Sequence, residues 1–525
     1  MPSSKAARPV VVLVVVLVAA FAINLDTTIV NVALPALNRQ LGAPTSSLQW
    51  VVDGYNLAFA ALVLAGGNLG DRYGRRETLA AGLSLFALAS VVAALCTNAG
   101  ELIAVRFFMG AAAALIYPTT LSIITNTFPD RGARAKAIGA WGAVTGLGVA
   151  AGPVAGGALL DHFWWGSVFL ALIPVAALAL VGTWLVVPRS RVPGRAPLDQ
   201  AGLGLSIVAL GSLVYTVIEA PSHGWLSART LAGFVVAAVA FVAFARTEKR
   251  RDAPMLDVRL FTNLRFSAAS GSVTVAFFSL FGFIFLITQY FQQLRGYSPL
   301  STGVRILPVA ASIAVASVVG TKLAVRVGNK AVVAGGLVFL ASAFAWISQA
   351  GATLSYEVIA AQMVLLGLGM GLTSASATES IMGVVRPEQA GAGSAVNDAT
   401  REVGGTLGVA VLGSVYSTLY VHHLSAKTFP NLPVGTLRSA RSSFGAGQVA
   451  VSHLTGSTQA AFGHAVTGGF LSGLHAACGV ASGVCLLGAV VVAVLLPSRP
   501  GQAVLAAGEP DLGGHRRESM VTGSR

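Results

Sequence analysis

The sequence predicts an all-α polytopic membrane protein with fourteen transmembrane helices and both termini in the cytoplasm. Of its 525 residues, 55% are hydrophobic and only 10% are charged, whereas a soluble domain carries about 25% charged residues. Apolar blocks of about twenty residues, the length that crosses about 30 Å of hydrocarbon, recur along the whole chain. Most Lys and Arg residues fall in alternate connections between these blocks, and this asymmetry sets the predicted orientation.

The apolar blocks divide the chain into fourteen predicted spans. The first block, Val10 to Leu34, follows Lys5 and Arg8 as a secretory signal would. Its apolar stretch is too long for a signal, and no small-residue cleavage site precedes the polar turn expected after Pro35, so we keep it as span 1. The spans lie near residues 10–34, 48–69, 78–97, 102–125, 137–159, 165–187, 200–219, 229–245, 267–290, 303–325, 331–350, 357–382, 394–420 and 468–496.

The order of the spans predicts a duplicated architecture. Spans 1–6 (residues 1–187) and spans 9–14 (residues 266–499) are expected to form two six-helix bundles, and residues 188–265 supply two further spans with basic cytoplasmic loops. The segment that begins at Gly67 after span 2 has a degenerate echo that begins at Gly320 after span 10. Such two-fold repeats are usual in secondary transporters. A long outer loop over 421–467 and a disordered cytoplasmic tail over 500–525 complete the prediction.

Several other classes of function find no support. The formal charge of +14 reads as a topology signal, so a nucleic-acid partner is not expected. No phosphate-binding loop of an ATP-driven pump and no His-Glu-x-x-His metal motif occurs, and we expect neither an enzyme nor a metal site. His422 and His423 are adjacent, but no carboxylate or cysteine lies near them in the sequence to complete a metal site. Three cysteines in apolar segments support no disulfide framework: Cys96, Cys478 and Cys485.

Local motifs on successive spans resemble the major facilitator superfamily, specifically its fourteen-helix drug:proton antiporter branch. Span 1 carries Leu25-Asp-Thr-Thr-Ile-Val-Asn-Val-Ala-Leu-Pro, and span 2 opens with Gln49-Trp-Val-Val-Asp-Gly-Tyr. The loop after span 2 matches the superfamily pattern G-x-L-x-D-R-x-G-R-R at every position from Gly67 to Arg76. Arg106-Phe-Phe-Met-Gly resembles the fourth-span arginine motif, and the glycines within 142–157 resemble the antiporter motif of span 5.

The resemblance implies a proton-coupled antiporter that exports drugs or antibiotics, hydrophobic and in some cases cationic, across a bacterial cytoplasmic membrane and so confers resistance. It implies no cofactor, because the proton gradient drives transport, and a monomer in the lipid bilayer. Two alternatives stay open. One is a dedicated exporter of a single endogenous natural product, and the other is a proton-coupled importer of a small metabolite, which the motifs of spans 1 and 5 disfavour.

Three ionisable residues in the outer half of the first bundle are the candidates for proton coupling: Asp26, Asp53 and Arg106. A charged group near the bilayer centre costs several kcal/mol, so its retention indicates function. Burial and a nearby cation act in opposite directions on the proton affinity of a carboxyl group, which could set the affinity that coupling requires. Asp26 and Arg106 could instead form a static structural pair, and Asp53 could lie close enough to the headgroups to be hydrated.

Two further sets are assigned in the first bundle by resemblance. A conformational latch is expected at Gly67, Asp71, Arg72, Gly74, Arg75 and Arg76, with Asp71 contacting a neighbouring helix N-terminus and Arg75 or Arg76. The alternative is a basic loop that only sets topology. An antiporter helix motif is expected at Gly148, Gly152, Pro153, Gly156 and Gly157, where small residues allow close helix approach and the proline introduces a bend. Packing without a gating role is the alternative there.

The second bundle holds a denser group of charges: Glu379, Asp398, Arg401 and Glu402. The spacing of the last three places them on one helical face, where they could neutralise one another. They form either a structural network or a second site for protons or a cationic substrate.

Overall fold

In the computed structural model, the described residues are 9–191, 199–251, 254–384, 390–424, 429 and 432–496. This part of the chain is helical, and fourteen of its helical segments are long and apolar enough to cross a membrane. The helices are α1 (Pro9–Leu41), α2 (Thr45–Tyr73), α3 (Arg75–Leu95), α4 (Ala99–Thr127), α5 (Arg131–His162), α6 (Ser167–Leu170), α7 (Leu172–Val186), α8 (Gln200–His223), α9 (Ala228–Arg250), α10 (Leu264–Gln289), α11 (Pro299–Val327), α12 (Asn329–Ile347), α13 (Tyr356–Met382), α14 (Ala390–His423), α15 (Val434–Ser442), α16 (Phe444–Ser452) and α17 (Gly456–Leu495).

Six helices in each half of the chain pack in the same pattern. α2 lies against α4, α1 against α5, and α3 against both α4 and α7. The second half repeats these pairings with α11 against α13, α10 against α14, and α12 against both α13 and α17. The two halves meet where α2 packs on α14 and α5 packs on α11.

The remaining two long helices form a hairpin outside the repeated halves. α8 and α9 pack on each other, and α8 also contacts α2 and α14, one helix from each half. A small apolar cluster holds α8 there, formed by Leu57, Val214, Val217, Ile218 and Ala410. Trp225, in the α8–α9 turn, donates a hydrogen bond from its ring to Thr418 Oγ1 at 3.0 Å. The hairpin therefore lies over one of the two seams between the halves.

Helix α1 is longer than the sequence predicts. The expected turn after Pro35 is wrong, because α1 continues through this buried proline to Leu41. A transmembrane helix tolerates a proline when other groups satisfy the backbone that the proline frees. The carbonyl that Pro35 leaves without its helical donor is that of Asn31, and Gln292 Nε2 donates to the next carbonyl, that of Val32, at 2.9 Å. The helix ends where Gly42 adopts a φ of 62°.

The segment from Gly67 to Arg76, expected as a loop, is almost entirely helical. α2 continues to Tyr73, α3 begins at Arg75, and Gly74 alone separates them with a φ of 118°. Only glycine adopts this backbone conformation readily. The connection between α2 and α3 is therefore a one-residue turn.

The expected outer loop over 421–467 is also wrong in part. α14 extends to His423, α15 and α16 lie within the segment, and α17 begins at Gly456, twelve residues before the predicted start of span 14. Residues 425–428, 430 and 431 of this segment lie outside the described residues, as do the predicted tail at 500–525 and residues 192–198 of the linker. The search for apolar blocks of spanning length did not predict α15 and α16, because each of these helices has only nine residues.

The two halves touch at one end of the molecule. We name the two ends by their connections: the α1–α2 end holds Leu41 and Thr45, and the α2–α3 end holds Gly74. At the α1–α2 end, Asp161 Oδ2 accepts a hydrogen bond from Ser298 Oγ at 3.0 Å. Asn38 Nδ2 donates to Ser443 Oγ, which precedes α16, at 2.7 Å.

Toward the α2–α3 end, the surface of α5 is uncovered. Residues 138, 139, 142, 143, 146 and 147 are exposed, whereas none of residues 151–160 is. A side-chain carbon added at Gly139, Gly142 or Gly146 would meet no neighbouring atom within 4 Å. The halves are therefore closed at the α1–α2 end and parted along α5 toward the α2–α3 end.

Candidate functional site

A buried ion pair joins three helices of the first half. Arg106 Nη1 on α4 donates to both carboxylate oxygens of Asp26 on α1, at 2.9 and 2.8 Å. Its Nε donates to the Val51 carbonyl of α2 at 2.9 Å. The side chains of Asp26 and Arg106 are 0% and 1% exposed. The structure thus brings together two of the three residues predicted for proton coupling.

Tyr55 completes the surroundings of this pair. The Arg106 guanidinium carbon lies 4.3 Å from the centre of the Tyr55 ring, a distance typical of cation–π contact. Gly110 of α4 permits this close packing, because an added side-chain carbon would overlap the Tyr55 carbonyl. The pair is therefore held by a close helix–helix contact and by hydrogen bonds from Nε and Nη1 of Arg106.

Asp53 lies on α2 and is fully buried. Its hydration at the headgroups, the alternative left open above, does not fit this burial. Within the described part of the chain, neither of its carboxylate oxygens has a hydrogen-bond partner. An ionised carboxylate without a partner carries a large desolvation cost, which a proton removes. Asp53 therefore differs from Asp26, whose charge is matched by Arg106.

In the charged group of α14, Asp398 is buried and Arg401 and Glu402 are partly buried, and direct ion pairs do not join them in the described part of the chain. Asp398 is 5% exposed. Among the described residues, no Lys or Arg nitrogen lies within 4 Å of a carboxylate oxygen of Asp398 or Glu402. Arg401 instead lies over the Phe277 ring, with its guanidinium carbon 5.2 Å from the ring centre. Arg401 Nε and Glu402 Oε2 are buried without hydrogen-bond partners in the described part.

This group faces the first half of the molecule. Tyr117 of α4 lies close enough to Asp398 and Arg401 to interact electrostatically, and Tyr55 of α2 does so with Glu402. Through Tyr55, the Asp26–Arg106 pair and the α14 charges therefore border the same region between the halves. Glu379 is not part of it, because its side chain is exposed near the end of α13. Helical spacing alone could not reveal this difference.

The predicted latch has one of its expected contacts. Arg75 donates to Asp71 Oδ1 from Nε at 3.0 Å, and its Nη2 lies 2.9 Å from the same oxygen. Gly70 sits against the Thr119 hydroxyl of α4, which an added side-chain carbon would approach to 3.0 Å. Gly67, by contrast, has ordinary space around it, with the nearest atom of Pro118 at 3.6 Å.

The rest of the latch segment contacts the chain after α7. The Arg75 backbone N–H donates to the Ser190 carbonyl at 2.9 Å. The Arg76 guanidinium carbon lies 4.8 Å from the Trp184 ring centre, whereas Arg72 is exposed. The segment thus joins α2, α3 and α7 at the α2–α3 end. Its contact with another helix N-terminus stays a prediction.

The antiporter helix motif packs against a different helix on each side of α5. An added side-chain carbon at Gly148 would lie 2.9 Å from Asn24 Cβ of α1, and Gly152 and Gly156 meet α1 in the same way. Gly157 instead faces Pro299 of α11, and the Pro153 carbonyl lies against Gly303 of α11. α5 remains one continuous helix through Pro153. The motif therefore supplies both the packing within the first half and part of the contact between halves.

Sequence reasoning missed the polar residues that join the halves. Gln49 is fully buried on α2, and its Nε2 donates to the Ala410 carbonyl at 3.0 Å and the Val409 carbonyl at 3.2 Å on α14. Asn38 and Gln292 form two of the inter-half hydrogen bonds described above. The available signal was an amide side chain inside an apolar span, which usually bonds to another helix.

Comparison with known proteins agrees with this architecture. The family model described as Major Facilitator Superfamily matches residues 16–409. The multidrug efflux pump LfrA of Mycolicibacterium smegmatis is 34% identical over 93% of this chain and 96% of its own. The tetracenomycin C resistance and export protein of Streptomyces glaucescens is 32% identical over 94% of this chain and 93% of its own.

A solved structure shows the same fold. The inward-facing, unoccupied bacterial homologue of the human lysosomal transporter Spinster superposes with a TM-score of 0.65 at 16% identity, covering 93% of this chain and 98% of that one. With its fourteen membrane-spanning helices and two repeated halves, the chain belongs to the major facilitator superfamily.

Proposed function

We propose that this protein exports hydrophobic, drug-like molecules across a bacterial cytoplasmic membrane in exchange for protons and so confers resistance. The observation that carries the proposal is the set of buried ionisable groups on the spanning helices of the first half, in which Asp26 is paired with Arg106 and Asp53 has no partner among the described residues. The relatives named as efflux and resistance proteins support drug-like molecules as the substrate class.

The mechanism follows from the different environments of the two carboxyl groups. Asp53 needs a proton while it is buried without a partner, and it can release that proton when water reaches it. Arg106 can leave Asp26 and pair with another carboxylate only if Asp26 is protonated, because breaking a buried ion pair costs about 3–5 kcal/mol. Alternate opening of the two ends would expose these groups to one side at a time.

The basic clusters at the α2–α3 end support a cytoplasmic location for that end, by the positive-inside rule. The conformation described here is then open toward the cytoplasm and closed toward the outside. In this state a substrate would enter between the halves and meet the aromatic and charged side chains of α2, α4 and α14. We propose that the protein acts as a monomer, because the region between its halves contains all of these groups.

A transport assay in proteoliposomes tests the proposal. Purified protein, a neutral fluorescent drug and an imposed pH gradient allow uphill extrusion to be measured without a charge contribution from the substrate. Asp26→Asn and Asp53→Asn should each abolish uphill transport while leaving downhill drug exchange. Glu219→Gln, on the α8–α9 hairpin, serves as a matched control and should transport as wild type does. Uphill transport by both Asn variants would refute proton coupling at these residues.

A dedicated exporter of one natural product is the second candidate, favoured by similarity to the tetracenomycin C resistance and export protein over nearly the full length of both chains. Export of a panel of unrelated drugs from cells distinguishes the two. A broad exporter lowers the accumulation of several drugs, whereas a dedicated one lowers that of one chemical class.

A further inference from the structure

Two carboxyl groups lie at the base of the α8–α9 hairpin, away from the region between the halves. Asp199 immediately precedes α8, and Glu248 lies near the last turn of α9. They are 7% and 2% exposed, respectively. Nothing in the proposed transport mechanism uses either residue, so their burial needs a separate explanation.

One oxygen of each carboxyl group has a clear partner. Asp199 Oδ1 accepts from the Gly202 backbone N–H at 2.9 Å and so caps the start of α8. Glu248 Oε2 accepts from the Leu256 backbone N–H at 2.9 Å. The second oxygens, Asp199 Oδ2 and Glu248 Oε1, are buried and have no hydrogen-bond partner within the described part of the chain.

The two unpartnered oxygens point to the same place. A side-chain carbon added at Gly202 would overlap Glu248 Oε1 and lie 3.1 Å from Asp199 Oδ2. Both atoms therefore occupy the space beside one glycine. The position of these two unpartnered oxygens is a second observation, separate from the fact that both residues are acidic.

Within the part of the chain that the structure describes, one cation, Arg251, acts on these two carboxyl groups. Among the described residues, the charged groups that act on Glu248 are Asp199 and Arg251. Arg251 Nη2 lies 3.6 Å from Asp199 Oδ1, on the side already used for capping, and its side chain is 52% exposed. The nearby Arg259 donates instead to the Lys249 carbonyl at 3.2 Å. One exposed cation thus faces two buried carboxyl groups.

A single proton resolves both the charge and the missing hydrogen bonds. Like charges at short range in a buried site disfavour two ionised carboxylates. The α8 N-terminus and Arg251 both favour negative charge on the Asp199 side of the pair. A proton on Glu248 Oε1 would donate to Asp199 Oδ2 and satisfy both unpartnered atoms in one bond.

We propose that Glu248 is a protonated carboxylic acid that donates to Asp199, which makes the base of the α8–α9 hairpin a proton-binding site separate from the groups between the halves. Loss of this proton leaves two buried carboxylates side by side and loosens the hairpin at the α2–α3 end. The site is a pH-sensitive contact between two helices that lie over one seam of the transporter.

Infrared spectroscopy of the full-length protein in lipid nanodiscs tests the assignment. At neutral pH, the wild-type spectrum minus that of Glu248→Gln should contain one C=O stretching band of a protonated carboxyl group. Glu219→Gln is the matched control on the same hairpin, and its difference spectrum should show no such band because that side chain is partly exposed. Asp199→Asn should shift the frequency of the Glu248 band or remove it, since it replaces a carboxylate acceptor by an amide.

Thermal unfolding at several pH values gives a second measurement. Glu248→Gln retains a donor and carries no charge, so its melting temperature should rise relative to wild type as the pH increases. Absence of the protonated-carboxyl band from the wild type minus Glu248→Gln difference spectrum, or a melting difference that does not change with pH, would overturn the proposal. Neither result depends on transport, so a failure here is separate from a failure of the proposed function.

Discussion

Gly303 on α11 is the position where a single methyl group should change the balance between conformations. An added side-chain carbon would overlap the Pro153 carbonyl oxygen of α5, lie 2.6 Å from its carbon and 3.0 Å from Val154 Cα. All three are backbone atoms, so no side-chain rotation can relieve the overlap. Gly303→Ala must therefore push α5 and α11 apart at the α1–α2 end, where the halves are closed.

The size of the effect follows from the cost of overpacking. Inserting a methyl group into a well-packed interface costs about 1–3 kcal/mol. If the two helices separate in the alternative conformation, this cost falls only on the closed α1–α2 end. The ratio of conformations should then shift by about 5- to 150-fold toward opening at that end.

Pulsed electron paramagnetic resonance measures this ratio directly. Spin labels at Gln40 and Val434, exposed positions at the α1–α2 end, report the distance between the halves. Gly303→Ala should transfer population to a longer distance. The matched control is Gly146→Ala on α5, where an added carbon meets nothing within 4 Å. If both variants give the same distance distribution, the contact between α5 and α11 does not hold the end closed, and the reasoning fails.

Three further predictions follow from the described contacts. Arg106→Met should destabilise the protein by about 3–5 kcal/mol because it leaves the Asp26 carboxylate buried and unpaired; thermal unfolding measures this, and adding Asp26→Asn should restore most of the loss. Gln49→Leu removes hydrogen bonds between α2 and α14, which should destabilise the closed conformation by about 0.5–1.5 kcal/mol per lost bond. The same spin-label pair should then show a larger population at the longer distance. Asp71→Asn should slow turnover while leaving drug affinity intact, so a large loss of binding in an equilibrium assay would contradict its role as a latch.

The residues proposed for proton coupling show how much of the site sequence patterns can predict. Asp26, Asp53 and Arg106 were all found as ionisable groups in apolar spans, because such residues stand out against a hydrophobic background. The sequence did not show which of these residues form an ion pair. That Arg106 engages Asp26 and leaves Asp53 without a partner depends on how α1, α2 and α4 are rotated about their axes.

The second half shows the limit more clearly. Asp398, Arg401 and Glu402 share a helical face by spacing, yet none of them forms a direct ion pair with another in the described part. Glu379 looked equivalent to them and is exposed. Spacing along one helix specifies which side chains share a face, but the neighbouring helices decide whether that face is covered.

The sequence by itself determined the number of spans, the class of fold and the ionisable residues within the spans, because the bilayer imposes a length and a polarity that each segment satisfies alone. Only the tertiary structure decided which end is closed, which carboxyl groups are paired, and that Gly202 brings Asp199 and Glu248 together. These features arise between segments distant in the chain. They depend on the close packing of backbone and side chains across helices, which hydropathy does not encode.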